Sequence, residues 1–163
     1  MSRHPNLAAL EALLAQVRHT DVATFLRHMM AIHPPGRLPA RTAFDPLAVP
    51  ALLPGLVLVR IEYRPDGAPR LFIKVAGERI RDAAPMAMMN RYVDELLLGG
   101  ERRVIADTRQ TVIDTGTAYY WYGAPRMKFK LDFANLEYVH CPLAEDGETI
   151  DHILSFFHYE GTA

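Results

Sequence analysis

The stretch Leu56-Val57-Leu58-Val59-Arg60-Ile61-Glu62-Tyr63-Arg64-Pro65-Asp66-Gly67-Ala68-Pro69-Arg70-Leu71-Phe72-Ile73-Lys74-Val75 decides the fold class. Val57, Val59, Ile61 and Tyr63 alternate with Leu58, Arg60 and Glu62, the period of a strand. Arg64-Pro65-Asp66-Gly67 supplies the turn, because proline presets φ and glycine accepts positive φ. The return strand puts Leu71, Ile73 and Val75 on one face and Phe72 and Lys74 on the other. An antiparallel hairpin is expected over 56–63 and 70–76.

Toward the carboxyl end the pattern first loosens. Short helical turns are expected at 78–82 and 93–98, separated by Met86, Met88 and Met89. A longer helix follows Gly99-Gly100, with Val104, Ile105, Thr108, Val112 and Ile113 as its stripe and Gly116 as its left-handed stop. Three strands are expected after it, near 118–123, 134–143 and 149–159. Met127, Phe129, Leu131 and Phe133 read as a strand or an extended approach to one. Glu145-Asp146-Gly147-Glu148 gives the last pair a hairpin turn. The final strand is apolar on both parities, Ile150, Leu154 and Phe156 against Ile153, Phe157 and Tyr159, so both its faces are buried.

Toward the amino end two helices are expected, with a break near His19. Leu7, Leu10, Leu13, Leu14 and Val17 recur at helical spacing with Asn6 as the cap. Val22, Phe25, Leu26 and Met29 or Met30 form a second stripe behind Thr20 and Asp21. Pro34 and Pro35 end it. Six of the twelve prolines fall between Pro34 and Pro54, a packed connector without regular helix. The division is an N-terminal helical extension, 1–33, a connector, 34–55, and the main domain, 56–163.

Composition narrows the function. The chain has 163 residues, half of them hydrophobic and 23% charged, an ordinary globular balance. Such a length buries roughly 70% of the extended surface and needs no staple. Eighteen basic and nineteen acidic side chains leave a charge of −1, without the basic excess of a nucleic-acid binder. The single cysteine, Cys141, excludes an internal disulfide and any multi-cysteine zinc site. No apolar run approaches a membrane span of about 20 residues. No signal peptide is read at the amino end, because Glu11 and Gln16 interrupt its apolar segment. A cytoplasmic location with neither membrane nor nucleic-acid partner is expected. The serine-hydrolase elbow, the P-loop and the dinucleotide fingerprint are all missing.

The element order, and a set of short motifs in it, resemble a known family. The motifs are Leu38-Pro39-Ala40-Arg41 with Phe44-Asp45-Pro46, Leu52-Leu53-Pro54, Val75-Ala76-Gly77, Arg91-Tyr92-Val93-Asp94-Glu95-Leu96, Thr115-Gly116 and Pro142-Leu143-Ala144-Glu145-Asp146-Gly147. Together they resemble the bacterial stand-alone PAS-like family, a PAS-type domain of unknown function, from about Leu38 to Phe156. Asn90 stands where a glycine is usual, and asparagine tolerates left-handed backbone. The resemblance implies an α+β fold. Its sheet would have five antiparallel strands in the order 2-1-5-4-3, with helices on one face. The two N-terminal helices would cover the other face or a partner.

The candidate chemistry is sparse. His140 and Cys141 are strand neighbours and point to opposite faces, so they form no dyad. A two-residue turn at Asp146-Gly147 sets Cys141 opposite His152, a candidate redox or metal pair, while a one-residue slip puts His140 there. The competing reading is a buried cysteine acting as a small hydrophobe. The seven histidines show no metal-ligand spacing. Tyr119 and Trp121 face one way and Tyr120 and Tyr122 the other, as ligand-stacking residues or as sheet packing. The long helix carries no histidine for haem, and 77–98 carries no cysteine for a covalent flavin bond, so no cofactor is assigned.

Three functions are weighed. The first is a sensory or interaction module that binds a small metabolite or a protein partner, with output through another polypeptide. By the resemblance its cavity lies between the long helix and the sheet. Tyr92 and Thr108 would supply polar contacts, with His140 and Ser155 if their parity faces inward and Arg109 at the rim, as the best anion candidate. The second is a small isomerase-like or thiol-dependent enzyme around Cys141 and His152. The third is a ligand-free adaptor whose core is filled by Met86, Met88, Met89, Tyr92 and Phe156. A homodimer built on the N-terminal helices is also expected.

Overall fold

A computed structural model describes residues 3–96, 101–126, 129 and 133–161. It is an α+β arrangement with one open sheet of six antiparallel strands. The helices are α1 (Pro5–Leu14), α2 (Thr20–Ala31), α3 (Glu78–Ala83) and α4 (Glu101–Thr115). The strands are β1 (Leu56–Tyr63), β2 (Pro69–Ala76), β3 (Arg91–Tyr92), β4 (Tyr119–Gly123), β5 (Asn135–Leu143) and β6 (His152–Glu160). They lie in the order β3-β2-β1-β6-β5-β4. The sixth strand, beyond the five expected, is β3. It is an edge pairing of two residues, Tyr92 against Phe72 and Arg91 against Ile73. Asn90 enters it with φ of 62° and donates its N–H to the Ile73 carbonyl. The Gly99-Gly100 break and most of the expected strand approach at 127–133 lie outside the described residues.

Two apolar layers follow from strand alternation. Val57, Val59, Ile61, Ile73 and Ile153 face α4, where Ile105 and Val112 meet them. Leu56, Val139, Cys141, Leu154 and Phe156 face the opposite way, onto Val22, Phe25, Leu26 and Met29 of α2 and Leu10 of α1. The N-terminal helices therefore cover the second face of their own sheet.

Local departures have physical causes. Val75, expected beside Leu71 and Ile73, is exposed, because the register shifts between Leu58 and Val59 and a bulge reverses the parity. Ala76 turns inward instead. Ile150 joins the α4-side cluster, apart from Leu154 and Phe156, because β6 begins only at His152. Asn6 is not the cap of α1. His4 takes that place, its Nδ1 accepting the Asn6 N–H. The buried Asn6 amide accepts from Ala118 N–H at 2.8 Å and ties the helix to the entry of β4.

Candidate functional site

The α4-facing side of β5 and β6 carries a buried polar chain. Alternation puts Tyr138 and His140 of β5 on this side, and the register sets His140 opposite Ser155 and beside Tyr119. His140 Nδ1 lies 2.5 Å from Ser155 Oγ, and its Nε2 lies 3.2 Å from Thr108 Oγ1 on α4. The proton positions follow from counting donors. Thr108 has one hydroxyl proton and places it on the Val104 carbonyl at 2.9 Å, the shorter of its two contacts. Thr108 can then only accept from His140, so the imidazole carries its hydrogen on Nε2. Burial holds the His140 pKa well below the ordinary histidine value, and the charges of Arg109 and Arg126 add to this. The ring is neutral, Nδ1 is an acceptor, and Ser155 donates to it.

Arg109 lies one residue along α4 from Thr108. It was expected at a rim, yet it is only 4% exposed. Its hydrogen bond runs from Nη1 to the Ile105 carbonyl at 3.3 Å, and its Nε is buried with no acceptor among the described residues. Burial lowers its pKa to about 10, so it remains a cation at neutral pH. Arg60, Arg64 and Arg70, by contrast, meet Glu62, Asp94 and Glu95 at the surface.

Thr108, Arg109 and His140 border a cavity of about 70 Å³ between α4 and the sheet. Val57, Val59, Ile73 and Ala76 form its sheet wall, and Ile80 of α3 with Met88 closes one side. Val104, Ile105, Thr108 and Arg109 form its helical wall, and Trp121, Arg126, Tyr138 and His140 the far side. Arg126 lies 4.4 Å over the Trp121 ring and donates to the Tyr138 hydroxyl at 2.7 Å. The described lining holds two guanidinium groups and no carboxylate.

Of the five site residues read from the sequence, Thr108, Arg109, His140 and Ser155 converge here. Tyr92 does not. It belongs to the opposite parity, where its hydroxyl donates to Glu62 at 2.7 Å and Arg70 lies 3.5 Å over its ring. Cys141 and His152 are not partners either. The register pairs Cys141 with Leu154 and His152 with Leu143. The connection is longer than a two-residue turn, because Asp146 accepts from Glu148 and Thr149 and Asp151 accepts from Glu145 within it. Cys141 packs toward α2, and burial pushes its thiol pKa far up. Of the residues proposed to fill the core, Met88 lines the cavity while Phe156 faces α2 and Met89 is exposed.

Sequence reading did not single out Arg126 or Tyr138 for the site. The register would have given Tyr138, which stands opposite Trp121. Arg126 follows a proline in the chain leaving β4, where no periodicity points to a face. The chain matches no family model, no curated protein and no solved structure. No described helix is long and apolar enough to cross a membrane.

Proposed function

We propose that this chain is a cytoplasmic PAS-like sensory or interaction module that admits a small metabolite between α4 and the sheet and signals through another polypeptide. The observation that carries the reading is Arg109, a buried cation without a carboxylate partner among the described residues, at the wall of an apolar cavity. An unpaired buried charge destabilises a core by several kcal/mol, and a solid structural core gains nothing from it. A ligand that supplies the missing charge gives the residue a purpose. The apolar walls and the few convergent polar groups are those of a small-molecule site. The family reading draws support from the sheet, whose five longer strands, counted without β3, run in the order the resemblance implies.

The test is native mass spectrometry of protein purified without added ligand, followed by a thermal-shift screen of metabolites. A retained mass, or a stabilisation of roughly 2.7 kcal/mol at a hundredfold excess over the dissociation constant, is expected. Thr108→Trp should fill the cavity and remove the shift. A broad screen without any shift would leave the adaptor function in its place.

A further inference from the structure

The guanidinium fork of Arg109 specifies its missing partner. The group has five N–H donors in one plane. The hydrogen bond it makes uses Nη1. Nε and Nη2 form the side-on edge of the fork, the edge that meets both oxygens of a carboxylate in parallel hydrogen bonds. Nε is buried and unsatisfied among the described residues. The second guanidinium, Arg126, donates to the Tyr138 and Tyr119 hydroxyls and is exposed, so water screens its charge. Arg109 is the buried cation of the described lining, and one buried positive charge balances one negative charge, which favours a monoanion over a dianion that would bring uncompensated charge into the core. The same cavity has an aliphatic wall from Val57, Val59, Ile73 and Ile105. The volume of about 70 Å³ is about half that of a 150 Å³ cavity that takes benzene.

Building on the small-molecule reading above, we infer that the ligand is a short-chain organic monocarboxylate. Its carboxylate pairs with the Nε–Nη2 edge of Arg109, and its alkyl body rests on the sheet-side aliphatic wall.

The experiment uses the full chain, with sodium acetate as the probe. Acetamide, of the same shape without the charge, and inorganic phosphate, charged without the alkyl body, are the comparison compounds, all at matched ionic strength. Near saturation acetate should raise the melting temperature by roughly 5 °C or more, while acetamide and phosphate leave it unchanged. Arg109→Met should abolish the response. Arg109→Lys, which keeps the charge and loses the fork, should weaken binding at least about tenfold. Ala76→Leu should abolish it by filling the cavity with Arg109 intact. If Arg109→Met does not fold, the carboxyl resonance of carbon-13-labelled acetate still decides, since it must shift with wild type and not with Ala76→Leu. Equal stabilisation by acetamide and acetate would overturn the carboxylate inference and leave the small-molecule site standing. Stabilisation by phosphate as strong as by acetate would overturn the monocarboxylate class. No response to acetate in this assay, beside a retained metabolite in the native mass spectrum, would remove this inference alone. No response and no retained metabolite would remove both.

Discussion

Ser155 Oγ donates to His140 Nδ1 across the β5–β6 pair at 2.5 Å, and both residues are buried. The serine contributes the one donor that lets a neutral imidazole sit in this core with both ring nitrogens satisfied. Ser155→Ala leaves Nδ1 an orphaned acceptor away from water. The expected cost is about 1–3 kcal/mol, read as a lower urea midpoint with an unchanged slope. Ser155→Cys, which keeps a weak donor, should recover part of it.

The same ring sets the acid limb of stability. His140 is neutral when folded, and burial lowers its pKa below the unfolded value of 6.5. In the window between the folded pKa and 6.5, the unfolded chain binds the extra proton. Stability therefore falls as pH drops below about 6.5 and levels off below the folded pKa. His33 and His158 are shifted the same way, mainly by burial, and add slopes of the same sign. His140→Gln should flatten the stability profile between about pH 7 and pH 5 by up to one proton, about 1.4 kcal/mol per pH unit. An unchanged slope in matched urea titrations would show that His140 is not the group that resists protonation.

Glu137 joins the sheet to the N-terminal helices. Its carboxylate is 1% exposed and accepts from Arg18 N–H at 2.7 Å, His19 N–H at 3.0 Å and the Tyr120 hydroxyl at 2.6 Å. It thus satisfies the chain where α1 ends and α2 begins. Burial, and then the carboxylate, push the Tyr120 pKa up. Glu137→Ala strands three donors and should cost about 3 kcal/mol or more. Hydrogen exchange should show α1 and α2 opening before the sheet. Uniform loss of protection in all elements would mean the carboxylate holds no particular joint.

Cys141 should be inert in the native state. It is buried between β5 and α2, and its thiol stays protonated. A thiol reagent should label it at the rate of opening, with denaturant accelerating labelling in step with unfolding. Fast labelling without denaturant would reinstate a reactive cysteine.

The layered architecture was legible in the alternation of Val57, Val59 and Ile61 and in the double parity of β6. These signals need only the period of a strand and the fact of burial. Thr108 could be located from the apolar stripe of α4, whereas His140 and Ser155 were candidates only if their strand parity faced inward, and the register sets them opposite each other on that side. Tyr92 failed because it lies in a two-residue edge strand, whose short pairing leaves no period to read. The Cys141–His152 pairing failed because register depends on loop length, and side-chain hydrogen bonds at Asp146 and Asp151 lengthen that loop. Arg109 is the instructive case. A charged residue beside an apolar stripe reads as a surface group, and its burial depends on the tertiary packing around α4, which local sequence does not encode.

Arg109 also gives a prediction about the ligand-free protein. The guanidinium is buried without a counter-ion among the described residues, and burial lowers its pKa from 12.5 to about 10. A folded pKa below the unfolded one means that at pH 7, where both states are protonated, the charge opposes folding. Arg109→Met keeps an unbranched apolar stem and removes the guanidinium charge. It should stabilise the ligand-free chain by about 1–4 kcal/mol, the range in which apolar groups outperform buried ionic ones, and raise the midpoint of thermal unfolding. Saturating acetate should then narrow the gap, because it stabilises wild type alone. A destabilised Arg109→Met chain would mean that the stem of Arg109 packs better than methionine and that its charge is already compensated in the ligand-free state.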